Sequence, residues 1–216
     1  MTATVRLPSC HCGRRHFLQS GLALAGGLLL PGWAGAAEGA FRELQGAAFV
    51  NQQPASLHTP IRPGDTVTVA QGGRAALVLG QDAYLLRGGS TLQLQGLADS
   101  GGAQLLRLIT GGLLSVFGRG QRREIVTRTA TIGIRGTAVY LESRAAHAYL
   151  CTCYGEVDLT TPGHQETLRT TRHGARDIYL PQTGAGVSRA SDIRNHNDDE
   201  LRFLEGLVGR KPAFDA

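Results

Sequence analysis

Thr66-Val67-Thr68-Val69-Ala70-Gln71-Gly72-Gly73-Arg74-Ala75-Ala76-Leu77-Val78-Leu79 is two short apolar runs joined by a glycine pair. Val67 and Val69 alternate with Thr66 and Thr68, the period of two that turns one set of side chains inward and the other outward. Gly72-Gly73 suits the turn between them. The same pattern continues along the chain. Thr91 to Leu94, Leu105 to Ile109, Leu113 to Phe117, Glu124 to Thr129, Thr137 to Leu141, His147 to Cys153 and Val157 to Thr160 are further runs. Gly88-Gly89, Gly101-Gly102 and Gly111-Gly112 part some of them as turns. About a dozen short strands at such spacing predict an all-β sandwich or β-roll. No glycine-rich turn leads into a nucleotide-binding helix.

Both ends of the chain differ from this. Asn197 is a suitable helix cap, with Glu200 three residues on in capping-box spacing. Asp198, Asp199 and Glu200 occupy the first turn, and Leu201, Leu204, Leu207 and Val208 make one apolar stripe. Gly209 and Pro212 stop the pattern. One short amphipathic helix is therefore predicted over 198–208, folded back on the β body, with Pro181 to Asn195 as connection. At the other end, Arg14-Arg15-His16-Phe17-Leu18 opens an apolar run to Leu30, followed by Ala34-Gly35-Ala36. This reads as a twin-arginine export signal. The run is shorter than the roughly 18–20 residues a membrane-spanning helix needs and is broken by Gly21, Gly26 and Gly27. The expected organisation is a signal over 1–36, a β domain over 37–190 and a tail with the helix over 191–216. The expected location is the periplasm, with no stable membrane span.

Charge narrows the partners. The whole chain carries +5, but Arg6, Arg14 and Arg15 lie in the signal with no acid, leaving +2 beyond it. Lys211 is the sole lysine. There is no basic field for nucleic acid and few aromatics for base stacking. Ser20 and Ser115 lack a nucleophile-elbow context, no Ser-His-Asp arrangement presents itself, and no enzymatic role is expected.

Two blocks resemble a known family. One is Leu44-Gln45-Gly46-Ala47-Ala48-Phe49-Val50-Asn51 with Ile61-Arg62-Pro63-Gly64-Asp65-Thr66-Val67. The other is Ile125-Val126-Thr127-Arg128-Thr129-Ala130-Thr131-Ile132-Gly133-Ile134-Arg135-Gly136-Thr137, then Tyr154-Gly155-Glu156-Val157. Over about 44–161 this resembles the FecR-type domain, the periplasmic sensing module of iron-citrate signalling proteins. The resemblance implies a binding or sensing module that works through an envelope protein or small ligand. The signalling members carry a cytoplasmic anti-sigma segment and a transmembrane helix before this domain, where here an export signal is read. Gly64-Asp65 and Gly136 suit tight turns without appeal to the family, and Arg135 suits a bond to carbonyls or a carboxylate there.

Cys151 and Cys153 are chemically the sharpest pair. Two apart in a predicted strand, they leave on one face, with Tyr149 and His147 on the same parity. A disulfide between such parallel neighbours is unfavourable. Three readings stand: small buried apolar residues, a strained or intermolecular disulfide, or two corners of a tetrahedral metal site. In the last, His173 and His196 complete the set, with His147 and His164 in reserve and His58 also available. Zinc, iron and copper all suit such ligands. The alternative to a sensing module is thus a Cys/His metal-binding or redox protein centred on Cys151 and Cys153.

Overall fold

Residues 38–96, 101–120 and 122–215 are described by the computed structural model. The export signal expected over 1–36 lies outside them. Strands β1 (Gly39–Gln45), β2 (Ala48–Val50), β3 (Gln53–Pro54), β4 (Pro60–Ile61), β5 (Thr66–Val69), β6 (Arg74–Leu79), β7 (Asp82–Arg87) and β8 (Thr91–Gln95) come first. Then follow β9 (Leu105–Val116), β10 (Arg122–Val126), β11 (Thr131–Ser143), β12 (His147–Thr161), β13 (His164–Thr170), β14 (Gly174–Tyr179) and β15 (Val187–Ser191). The fold is all-β, and these fifteen strands, rather than about a dozen, hydrogen-bond into one continuous sheet. Val67, Leu77, Leu86, Leu92, Ile125 and Val139, from strands along the length of that sheet, belong to one core. That is a roll rather than a sandwich of two separate sheets.

The long strands correct the sequence reading. Leu105–Ile109 and Leu113–Phe117 are not two strands around a turn, because Gly111-Gly112 lies inside β9. The strand changes partner there, pairing with β8 up to Thr110 and with β7 from Leu113. Gly111 has φ 89, and a Cβ on it would fall 2.3 Å from Ser90 Oγ, so only glycine lets β9 bend against the end of β8. Gly136 is likewise no turn. It sits at φ 61 within β11, where the register with β12 shifts between Arg135 and Ala138, a β-bulge. Arg135 itself pairs across strands, donating to Asp158 at 2.8 Å with Glu156 at 3.6 Å. Pro181 to Asn195 is also not wholly connection, since it contains β15, the partner of β14.

Strands β6 and β7 are buried on both faces, which departs from half-buried alternation. Leu77, Leu86, Leu113, Val139 and Leu150 enter the main core. Their neighbours Ala76, Leu85, Leu114, Tyr140, Cys151 and Ala175 form a row running straight across β6, β7, β9, β11, β12 and β14 on the other face. Helix α1 (Asp198–Leu207) covers this second face and buries Leu201 and Leu204 in it. Two buried leucines contribute about 3–6 kcal/mol as an upper bound. Docking of this kind is what holds so short a helix together, because ten residues alone are marginal in water. Asn197 caps the helix, its Oδ1 accepting from the Glu200 amide at 3.0 Å. The reciprocal half of the capping box is absent. The Glu200 carboxylate is taken by Arg87 at 2.6 and 2.7 Å and by Arg74 at 3.1 Å, which ties the first turn to β6 and β7.

Among the described residues, one ion pair has both side chains fully buried. Arg123 Nε donates to Asp82 Oδ2 at 2.9 Å with both side chains fully buried. Tyr84 Oη and the Gly118 amide also donate to that carboxylate, at 3.3 and 2.8 Å.

Candidate metal centre

Period-two geometry sends Cys151 and Cys153 out of β12 on the same face, the one beneath the C-terminal segment. Both are fully buried, and both are free thiols. His173 comes from the link between β13 and β14. Its backbone is left-handed at φ 47, and its amide donates to Cys153 O at 2.8 Å. His196 comes from the link between β15 and α1, after Asn195 at φ 62. Non-glycine residues in this region carry a conformational cost that surrounding structure must hold in place. One ligand atom from each of Cys151, Cys153, His173 and His196 lies within 4.8 Å of the other three.

The two imidazoles are oriented by their outer nitrogens. His173 Nε2 bonds Asp198 Oδ1 at 2.7 Å, and Asp198 is held in turn by Arg172. A carboxylate only accepts, so the proton belongs on Nε2 and the lone pair on Nδ1, which faces Cys151 Sγ at 3.6 Å. His196 Nδ1 bonds the Arg194 carbonyl at 2.8 Å, which fixes the opposite tautomer. Its Nε2 is then a lone pair, buried and with no hydrogen-bond partner among the described residues. The ring stacks on Tyr140 at 4.6 Å between centroids. Tyr140 Oη donates to Glu142 Oε1 at 2.9 Å, where Asn195 Nδ2 also donates. An imidazole whose far N–H is committed to a carboxylate or carbonyl, with its near lone pair turned inward, is the arrangement metal-ligating histidines adopt.

Electrostatics favour the same use. The adjacent Cys153 thiol, with His196 and His173, holds the Cys151 thiol down at about 4 against the upward push of burial. Burial and the neighbouring Cys151 push Cys153 up. Burial opposes a charged His173, but Asp198 and Cys151 outweigh it and raise its pKa. The two thiols are thus pushed in opposite directions, Cys151 toward the thiolate and Cys153 away from it. A divalent cation with two thiolates and two neutral imidazoles is neutral overall, the state a dry site tolerates best. Cys151, Cys153 and His196 are buried and His173 is half-buried, and four side chains would fill a tetrahedral sphere as they do in structural zinc sites.

The other sequence candidates are elsewhere. His147 bonds Asp177 at 2.8 Å and packs on Tyr179, at the end of β12 away from the thiols. His164 lies by Glu166 at the start of β13, and His58 is exposed. Asp198, which bonds the His173 ring, and Tyr140, which stacks on the His196 ring, were not singled out by sequence. Asp198 was read only as a helix-dipole residue, and nothing local marks Tyr140. His196 also lines an open cleft of about 710 Å³ with Arg87, Tyr140, Glu142, Arg144 and Glu200.

Comparison with known proteins adds the fold and little more. No protein-family model matches the chain, and no curated protein matches it. Two crystal structures of a protein described as a candidate anti-sigma factor from Parabacteroides distasonis share its architecture. Each has a TM-score of 0.50 and 14% identity over 65% of this chain. The chain spans 65% and 64% of the length of those structures, just under two thirds. At that identity the likeness is one of fold. No helix of the described residues is long and apolar enough to cross a membrane.

Proposed function

We propose that this protein is an exported, periplasmic FecR-type binding module. It acts without enzymatic activity in envelope signalling, through an envelope protein or small ligand, and it carries one divalent metal, zinc in the first instance, on Cys151, Cys153, His173 and His196. The observation that carries the metal reading is the buried convergence of two thiols and two imidazoles whose rings are both turned lone pair inward. The signalling reading is supported by the two sequence blocks quoted above together with a fold like that of a candidate anti-sigma factor. The cleft beside His196, with both acids and arginines on its walls, is the natural place for a small polar ligand.

Transcript profiling tests the signalling reading. Deleting the gene, or replacing it with the Cys151→Ser, Cys153→Ser form, is expected to change the same set of envelope-response or metal-response transcripts under zinc limitation. Unaltered profiles in both strains would contradict it.

A further inference from the structure

We infer that metal occupancy and the seating of α1 on the sheet form a single coupled equilibrium, so that the metal latches the C-terminal helix. This rests on the zinc reading above and adds regulation to it. The centre is assembled from two bodies. Cys151 and Cys153 belong to the sheet, and His173 is bound to it through its backbone amide. His196 lies in the six-residue link 192–197 and precedes the helix by two residues. Asp198, which fixes the His173 ring, is the first residue of α1 itself. A metal can draw both imidazoles to the thiols only if the link and the first helical turn stand where they do here. Conversely, with α1 displaced, His196 moves off and His173 loses the carboxylate that sets its tautomer.

The other fastenings of the helix are of a different kind. Arg87 and Arg74 hold Glu200 at the partly exposed rim, and Leu201 and Leu204 supply the apolar contact. Tyr154 and Arg210 take Glu205 near the far end. Polar contacts hold the link as well, since Arg87 also donates to Asn195 O at 2.6 Å, Asn195 donates to Glu142 and Arg194 pairs with Asp177; the metal adds to them through its ring ligand, His196, and the ring anchor, Asp198. Binding linkage is reciprocal: whatever factor helix docking contributes to zinc affinity, zinc contributes to helix docking. Leu201 and Leu204 share one packed cluster with Cys151 and Cys153 but offer no ligating atom, so their effect on zinc acts through how the helix packs on the sheet.

The test is zinc titration of the full chain against a chromophoric chelator, with hydrogen exchange on the same samples. Leu201→Ala combined with Leu204→Ala is expected to weaken zinc about tenfold or more, within the usual 5–150-fold range of such couplings. Asp199→Asn, on the exposed side of the same turn, is expected to stay within about twofold on the same grounds. In the unaltered protein, zinc removal is expected to speed amide exchange at 201–208 while leaving β6 and β7 unchanged. Should the unaltered protein bind zinc and the double variant bind it equally well, or should helix exchange ignore zinc, the latch is overturned and the zinc site survives. Should the unaltered protein bind no zinc, the site itself falls and the latch with it.

Discussion

Stripping zinc from the proposed Cys151, Cys153, His173 and His196 centre is expected to lower the melting temperature of the folded protein by about 8–16 °C. The size follows from linkage. A ligand bound only by the native state, at a free concentration a thousandfold above its Kd, stabilises by about 4 kcal/mol, and about 2–4 °C accompanies each kcal/mol at this chain length. Tight zinc sites reach that saturation with ease, since thiolate-imidazole sites bind with apparent energies of about 10–16 kcal/mol near neutral pH. The metal-free site adds its own cost. His196 Nε2 is buried with no hydrogen-bond partner among the described residues, and burial beside Cys151 opposes ionisation of Cys153. Cys151→Ser with Cys153→Ser should reproduce the loss and, more tellingly, make melting insensitive to chelator. Differential scanning calorimetry with and without chelator reads both effects. Equal melting of the unaltered protein in the two conditions would remove the metal from any part in its stability.

The second large effect lies in the interior, away from the thiols. Asp82→Ala is expected to cost about 3–5 kcal/mol, because it removes the carboxylate that Arg123 Nε bonds where both side chains are fully buried. The same change orphans the Gly118 amide and the Tyr84 hydroxyl, which both donate to that carboxylate. Arg123→Met in the same chain should recover much of the loss, since an apolar side chain of similar volume needs no counter-charge. Urea unfolding of the two single variants and the double variant gives the coupling directly. Additive losses would mean that Asp82 and Arg123 stabilise the roll independently and that their contact is incidental.

The fold was readable where one face of the sheet is solvated. Thr66 to Val69 and Thr91 to Leu94 alternate because their outer faces meet water, and both are strands as expected. Strand β7 was missed for the opposite reason. Asp82-Ala83-Tyr84-Leu85-Leu86-Arg87 is buried on both faces, so alternation is lost, and only the covering by α1 explains its outer leucine. Gly111-Gly112 and Gly136 misled because glycine serves turns and strand bends alike. Which use applies depends on Ser90 and on the partner register, neither of which is local in sequence. At the proposed metal centre, parity alone put both thiols on one face, while the meeting of His173 and His196 with them depends on two links packed together from far along the chain. The Asp82–Arg123 pair, 41 residues apart, left no mark in the sequence at all.

Metal analysis joined to X-ray absorption, on protein taken from its native compartment, reaches the central claim most directly. One zinc per chain, with a first coordination sphere of two sulfurs near 2.3 Å and two nitrogens near 2.0–2.1 Å, roughly the distances of such sites, is the expected result. Protein that is folded, with both thiols freely titratable and well under about 0.2 metal per chain where a structural site requires close to one, would contradict it.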